Sequence, residues 1–259
     1  MPAKAAQIGV FFDGTGNNKD IDIPLGRETN IAKLFRLYAT TPYQYQGQAD
    51  IGFIRKKYIR GVGSVMGSRV VGGITGAGAR RRLTRAYDYI KYQLDKPEAI
   101  DCDIKYIDIF GFSRGASQAR HFANMLLNLP IPVQDSASAN HELKIRFLGI
   151  FDSVASFGIP GNDIDLDIDL FVNRKEISHC VHFTAEHERR SLFDLQSIMS
   201  YSDEQLPKGF IEKTYPGAHS DVGGGYEMVP YRASGRYKER IINGKVVDIP
   251  ADNDQYEDL

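Results

Sequence analysis

Alternating strand and helix signals predict an α/β fold for this chain, with a mostly parallel central sheet and helices on both faces. Three observations carry that expectation. Short apolar, β-branched runs recur, among them Ile8–Phe12, Phe53–Ile59 and Ile145–Phe151; strands buried on both faces need such runs. Segments of helical period lie between them, as where Leu83, Ala86, Tyr87, Ile90 and Leu94 share one face. Finally, Ile107–Arg120 reads as strand, sharp turn, helix around the pentapeptide Gly111-Phe112-Ser113-Arg114-Gly115.

Taken in order, Ile8–Phe12 is a buried parallel strand that empties into the Gly/Asn-rich loop Asp13-Gly14-Thr15-Gly16-Asn17-Asn18. Thr29 or Asn30 then caps a helix whose apolar positions are Ile31, Leu34, Phe35 and Tyr38. Residues 40–50 are polar and non-periodic, and read as loop; Phe53–Ile59 is a second strand. Gly61–Ala79 carries seven glycines among Val, Ile, Met and Ala. It reads as a flexible loop and a candidate flap. A phosphate-binding role fails on detail, because neither G-x-x-x-x-G-K-[ST] nor G-x-G-x-x-G is present.

Arg80–Leu94 reads as a helix that Lys96-Pro97 ends. Arg80, Arg81, Arg82 and Arg85 crowd its first turns, where cations oppose the helix macrodipole. A solvated face is the plain reading of that cluster, and contact with anionic lipid headgroups the sharper one. The apolar strand into Ser113 follows, then a helix bearing Ala119, Phe122, Ala123, Leu126 and Leu127. Pro130–Ala139 is a loop, and Ile145–Phe151 a strand with Asp152 at its end. Asn162–Leu170 alternates Asp with Ile or Leu; Ile168 and Arg174 stand where a calcium loop needs Gly and Glu, so an acidic solvated edge is expected. Cys180–Phe183 reads as strand, Ala185–Leu195 as helix and Phe210–Tyr215 as the last core strand. His219 then falls in a Gly-rich loop, and Asn243-Gly244 marks a hairpin.

At 259 residues the chain suits a single domain over 1–259. Its acidic end lacks a capping element, as in a chain truncated at the C-terminus. Net charge is −1, so nothing global points to nucleic acid. Cys102 and Cys180 stand far apart; buried thiols in a reducing compartment fit, and one disulfide stays open. The N-terminus has no apolar run of signal-peptide length, and no segment approaches a membrane span. Synthesis in the cytoplasm without a cleaved leader is expected. Neither H-E-x-x-H nor a clustered ligand set occurs, so no metal or cofactor is expected.

A Gly-flanked serine alone could be a helix cap. Three residues at strand ends raise it above that: Ser113, Asp152 and His219 follow in the chain order of α/β-hydrolases. In acyl transfer a neutral imidazole takes the serine proton as the hydroxyl attacks. His219 would do this and return the proton to the leaving alcohol, while Asp152 fixes the tautomer and stabilises the imidazolium. The oxyanion would meet the backbone N–H of Arg114 and one from the first loop, assigned to Gly14. Asp163, Asp194 and Asp203 compete with Asp152 but do not end an apolar strand. His121, His141, His179, His182 and His187 lie on helices, strands or a polar loop. Asp13 and Asp221 read as loop holders through backbone hydrogen bonds.

FFDGTGNN, GFSRGASQAR, GIFDSVASFG and YPGAHSDVGGGY, spread over residues 8–226, resemble the α/β-hydrolase domain of type VI secretion lipase effectors. Within that group they are similar to the Tle family members with a G-x-S-x-G nucleophile. The resemblance implies phospholipase A activity on glycerophospholipids and the triad Ser113, Asp152 and His219. It also implies delivery by a secretion spike into the periplasm of a rival bacterium, attack on its membrane, and a cognate immunity protein in the producer. The residues themselves leave two other readings open, a serine esterase of other esters and a non-catalytic binding module.

Overall fold

The computed structural model describes residues 2–47, 49–63, 76–129, 131, 142–154, 168–190, 193–200, 203–226, 237–242 and 245–250. In chain order the elements are β1 (Ala3–Phe12), α1 (Lys19–Asp22), α2 (Asn30–Leu37), β2 (Tyr43–Tyr45), β3 (Ala49–Ile59), α3 (Gly76–Leu94) and α4 (Pro97–Ile100). Then come β4 (Ile104–Phe112), α5 (Arg114–Asn128), β5 (Glu142–Phe151), β6 (Ile177–Ala185), β7 (Phe210–Tyr215), α6 (His219–Gly223), β8 (Tyr237–Ile242) and β9 (Lys245–Pro250). The chain divides into two compact units, Met1–Glu227 and Met228–Leu259, where the sequence reading set one domain over 1–259.

The first unit holds a seven-stranded sheet in the order β2-β3-β1-β4-β5-β6-β7. Every neighbouring pair is parallel except β2 with β3. β1 shows why the strands read as apolar runs. Ala5–Phe12 is buried at every residue, with Ile8, Val10 and Phe12 packed on the face under α3 and α5. Phe11 points to the other face, where it meets Ile31 of α2 and stacks on Phe110 with ring centroids 4.6 Å apart. Helices therefore cover both faces, as alternating signals demand.

The order has one functional consequence. After β1 the chain moves outward to β3, then returns across α3 to place β4 on the opposite side of β1. The carboxyl ends of β1 and β4 thus flank a topological switch point, where open α/β sheets leave a crevice. Asp13 follows one strand and Ser113 the other.

Several local readings change in the fold. Tyr43–Tyr45, expected as loop, forms the antiparallel edge strand β2 on Ala49–Ile51. The glycine-rich stretch ends earlier than expected, since α3 begins at Gly76; residues 64–75, which include most of the candidate flap, lie outside the described residues, as do 132–141 and 155–167. Ala185–Leu195, expected as helix, is not helical over 186–190 and 193–195. Its backbone finds partners elsewhere: Glu186 N–H donates to Tyr215 O and His187 N–H to Gly217 O, each at 3.0 Å, and Leu195 bridges to Val154. Tertiary hydrogen bonds here outweigh local helical period. Cys102 and Cys180 are buried thiols that are not joined in a disulfide. In the second unit, β8 and β9 pair antiparallel with Ile242 opposite Lys245.

Candidate active site

The turn at Ser113 begins with sterics. A Cβ on Gly111 would stand 2.5 Å from the Gly115 carbonyl oxygen, and one on Gly115 would stand 2.4 Å from the Phe12 oxygen. Both are closer than carbon can approach, so the turn from β4 into α5 admits only glycine at either side. Ser113 between them takes φ 59° and ψ −129°, a strained backbone for a residue with a Cβ. Its N–H donates to Phe151 O at 3.0 Å, which ties the turn to the end of β5. Ser113 is buried, 4 % exposed.

Asp152 follows β5 directly and also has positive φ, 39°. β6 holds it in that shape: Asp152 N–H donates to Phe183 O at 2.7 Å, and Oδ1 accepts the Ala185 N–H at 2.9 Å. Its other oxygen, Oδ2, lies 2.6 Å from Nδ1 of His219. His219 is the first residue of the short α6 rather than part of an open loop, and Asp221 accepts the Ala218 N–H at 2.7 Å to close that turn. The imidazole is 4 % exposed. It packs between Phe112 at 4.6 Å and the edge of Phe193 at 4.8 Å, ring centroid to centroid.

Ser113, Arg114 and His219 line one cavity of 180 Å³ together with Thr15, Asn17, Phe112, Arg190 and Phe193. As the first residue of α5, Arg114 has no carbonyl one turn back, so its N–H is free for a ligand. The expected partner, Gly14, is not placed to help. Its N–H donates to Asp13 Oδ1 at 2.8 Å, and the next residue, Thr15, faces the cavity instead. Thr15 Oγ1 is buried without a hydrogen-bond partner among the described residues.

Asp13 organises this loop. Its carboxylate accepts from Gly14 N–H, from Thr29 Oγ1 at 2.8 and 2.9 Å, and from the Tyr58 hydroxyl. Burial raises its pKa to about 6 against the pull of those donors. Asp13 and Asp221 thus hold loops, as their positions implied.

Three contributors escape sequence reasoning because they sit in the segment that looks helical. Glu188 accepts the His219 N–H at 3.3 Å and pairs with Arg190 at 2.6 Å. The Arg190 hydrogen bonds hold its carboxyl at about 2. Arg190 in turn lies 3.7 Å over the Phe193 ring. Burial lowers Arg114, the second cation at the cavity, to about 10.

A further relay lies beneath Asp152. His182 is fully buried; its Nε2 accepts the Ser153 N–H at 3.2 Å, which leaves Nδ1–H to donate to Glu212 Oε2 at 2.8 Å. Glu212 also accepts from Ser197 Oγ at 2.6 Å and Ile198 N at 2.8 Å. Burial opposes its ionisation, yet these donors hold its carboxyl at about 2. Several of the rival residues are occupied elsewhere. Asp203 pairs with Arg174 at 2.5 Å, His187 Nδ1 accepts from Gly217 N–H at 3.0 Å, and His121 Nδ1 accepts from Asp169 N–H at 3.1 Å. Asp163 and His141 lie outside the described residues. Among the described residues no group of three or more His, Cys, Asp or Glu side chains could hold a metal ion.

A mostly parallel sheet covered by helices, with a strained serine turn at its switch point, defines an α/β-hydrolase-like protein. The chain matches the family described as "T6SS, Phospholipase effector Tle1-like, catalytic domain" over residues 7–132 and 131–234. It belongs to that family. Among solved structures it is similar to an uncharacterized protein from Pseudomonas aeruginosa, at 24 % identity and TM-score 0.60, covering 86 % of this chain and 42 % of that one. It is also similar to the Tle1 effector solved bound to the VgrG spike of the type 6 secretion system, at 25 % identity and TM-score 0.59, covering 88 % of this chain and 53 % of that one. The chain thus spans about half the length of these relatives. No curated protein matches it.

Proposed function

We propose that this chain is a serine hydrolase that cleaves carboxylic esters of glycerophospholipids, a phospholipase A, by way of an acyl-enzyme. The observation that carries the reading is the 2.6 Å contact of His219 Nδ1 with Asp152 Oδ2, with His219 and Ser113 lining one cavity. That contact leaves Nε2 as the neutral base. It takes the Ser113 proton as Oγ attacks the ester carbonyl, then gives it to the departing glycerol oxygen. Water repeats the sequence on the acyl-enzyme and releases fatty acid. Asp152 keeps the tautomer and stabilises the imidazolium.

Negative charge on the carbonyl oxygen is met by the Arg114 N–H and by Thr15 of the first loop, which takes the part assigned above to Gly14. Arg190 is paired with Glu188, and Arg114, with no carboxylate partner among the described residues, gives the cavity a positive charge that suits the phosphodiester near a scissile acyl ester. Family membership supports the lipid substrate and export by type VI secretion. The spike-bound relative supports a secretion-spike partner. On this reading the target is a rival's membrane reached from its periplasm, and an immunity protein protects the producer. Among the described residues no helix is long and apolar enough to cross a membrane.

Incubation with defined phospholipid vesicles, followed by mass spectrometry, is expected to yield fatty acid and lysolipid. A fluorophosphonate probe is expected to label the native protein and to leave Ser113→Ala unlabelled. Good turnover of a short-chain ester without lipid cleavage would favour an esterase of other substrates. Labelling that persists in Ser113→Ala would remove Ser113 as nucleophile.

A further inference from the structure

A second and larger cavity, of 670 Å³, lies between the end of β3, the first turns of α3 and residues 18–20. The proposed chemistry does not use it. Its walls carry seven cations and one carboxylate, Asp20, which is already paired with Lys19. The protein as a whole has net charge −1, so this positive field is local.

The cations divide by what they touch. Arg82 is spent on the fold: its guanidinium donates to Arg60 O at 2.9 Å, Gly78 O at 2.9 Å and Gly61 O at 3.0 Å. Lys56 is spent likewise on Phe35 O at 2.7 Å. Arg60, Arg81 and Arg85 are exposed and have no carboxylate partner among the described residues. Their crowding has an electrostatic signature, since Arg82 is lowered to about 10 by burial and then by Arg60 and Arg85. Arg81, Arg82 and Arg85 stand on α3 within two turns of one another, so their charges crowd one stretch of the helix. Like charges set together repel, and an anion relieves that repulsion.

The form of the site favours several anionic groups over one. The half-buried Arg82 guanidinium that could have cradled a single phosphate is committed to three carbonyls, so it is not free to converge on one ion. The free cations are spread from a strand end to a helix face, on exposed side chains that reach a surface. Placement adds the last element: Asn17 lines the catalytic cavity and its neighbour Asn18 lines this groove.

We propose that the groove is a binding site for anionic phospholipid headgroups, which docks the protein on a negatively charged bilayer beside the catalytic cavity. The proposal rests on the preceding reading only in taking the substrate to lie in a bilayer. Binding is therefore measured on a protein that cannot turn over.

The Ser113→Ala chain is sedimented with vesicles of phosphatidylcholine alone and with vesicles one third phosphatidylglycerol. Binding is expected to rise at least tenfold with phosphatidylglycerol. It is expected to collapse on moving from about 0.1 M to 1 M salt, which shortens the screening length from about 10 to 3 Å. Adding Arg60→Gln, Arg81→Gln and Arg85→Gln is expected to cut binding by about a hundredfold, from the usual worth of a basic residue near an anionic surface. These side chains are exposed, and an unchanged thermal midpoint reports an intact fold. Equal binding to both vesicles, or triple-variant binding equal to the parent, overturns the proposal. So does a rise in thermal midpoint with millimolar inorganic phosphate that the triple substitution abolishes, if no vesicle preference accompanies it; the ligand is then a soluble phosphate compound. Hydrolysis of a short-chain soluble ester by the Ser113 protein carrying the three Arg→Gln changes reads the catalytic proposal separately.

Discussion

The Ser153 N–H donates to Nε2 of His182 at 3.2 Å, which ties the residue after Asp152 to the Glu212 carboxylate on β7. Because Asp152 itself sits at φ 39°, its orientation depends on what holds the backbone on either side. His182→Leu leaves the Glu212 carboxylate and a buried N–H without this partner, and is expected to lower stability by about 2–3 kcal/mol. Ester turnover is expected to fall in kcat with KM unchanged, as checked by steady-state kinetics beside denaturant melts.

The same histidine sets an acid limit. Burial lowers its pKa, so the native protein keeps it neutral while the unfolded chain takes up a proton below about pH 6.5. Its contribution is fully present above that pH and is lost as pH falls below it. Urea unfolding of the native protein and His182→Leu between pH 7 and pH 5 is expected to bring the two stabilities together on acidification.

Asp152→Asn preserves shape but can present an amide N–H₂ to His219 Nδ1, which favours the wrong tautomer. A fall in kcat of about 10⁴ is expected, read with a soluble ester, with slowed fluorophosphonate labelling of Ser113.

Thr15 separates two accounts of the oxyanion site. Thr15→Val keeps the backbone N–H and the side-chain volume but removes the buried, unpartnered hydroxyl. If that hydroxyl meets the oxyanion, kcat falls by about 10²–10³, and Thr15→Ser restores most of it. Undiminished turnover in Thr15→Val leaves the backbone N–H as the sole donor from this loop.

Asp13 gives a pH signature of opposite sign. Its folded pKa of about 6 lies above the ordinary 3.8, so the native state binds the proton more tightly than the unfolded chain. The stability this supplies is present at low pH and is lost as pH rises through 6. Relative to Asp13→Asn, the native protein is expected to lose about 2 kcal/mol between pH 4 and pH 7, measured by denaturant unfolding.

The main strands and long helices were legible because burial on one or two faces writes its period into local sequence. Ala5–Phe12 reads as a strand with no partner in view, and Gly111 and Gly115 mark a turn whose sterics tolerate nothing larger. The segment after Ala185 was not legible. Its apolar spacing fits a helix, but Glu186 and His187 donate to carbonyls at Tyr215 and Gly217, some thirty residues away. The same distance concealed Glu188, Arg190 and Phe193 as neighbours of His219.

Order along the chain was enough to nominate Ser113, Asp152 and His219, since strand ends and sharp turns are local properties. Which atoms meet was decided in three dimensions: the 2.6 Å contact of Asp152 with His219, the choice of Thr15 over Gly14 at the cavity, and the gathering of Lys57, Arg60, Arg81 and Arg85 around one groove. The physical reason is that hydrogen bonds and charge fields depend on distance in space. The order of the strands in the sheet sets those distances, and no short window of sequence contains it.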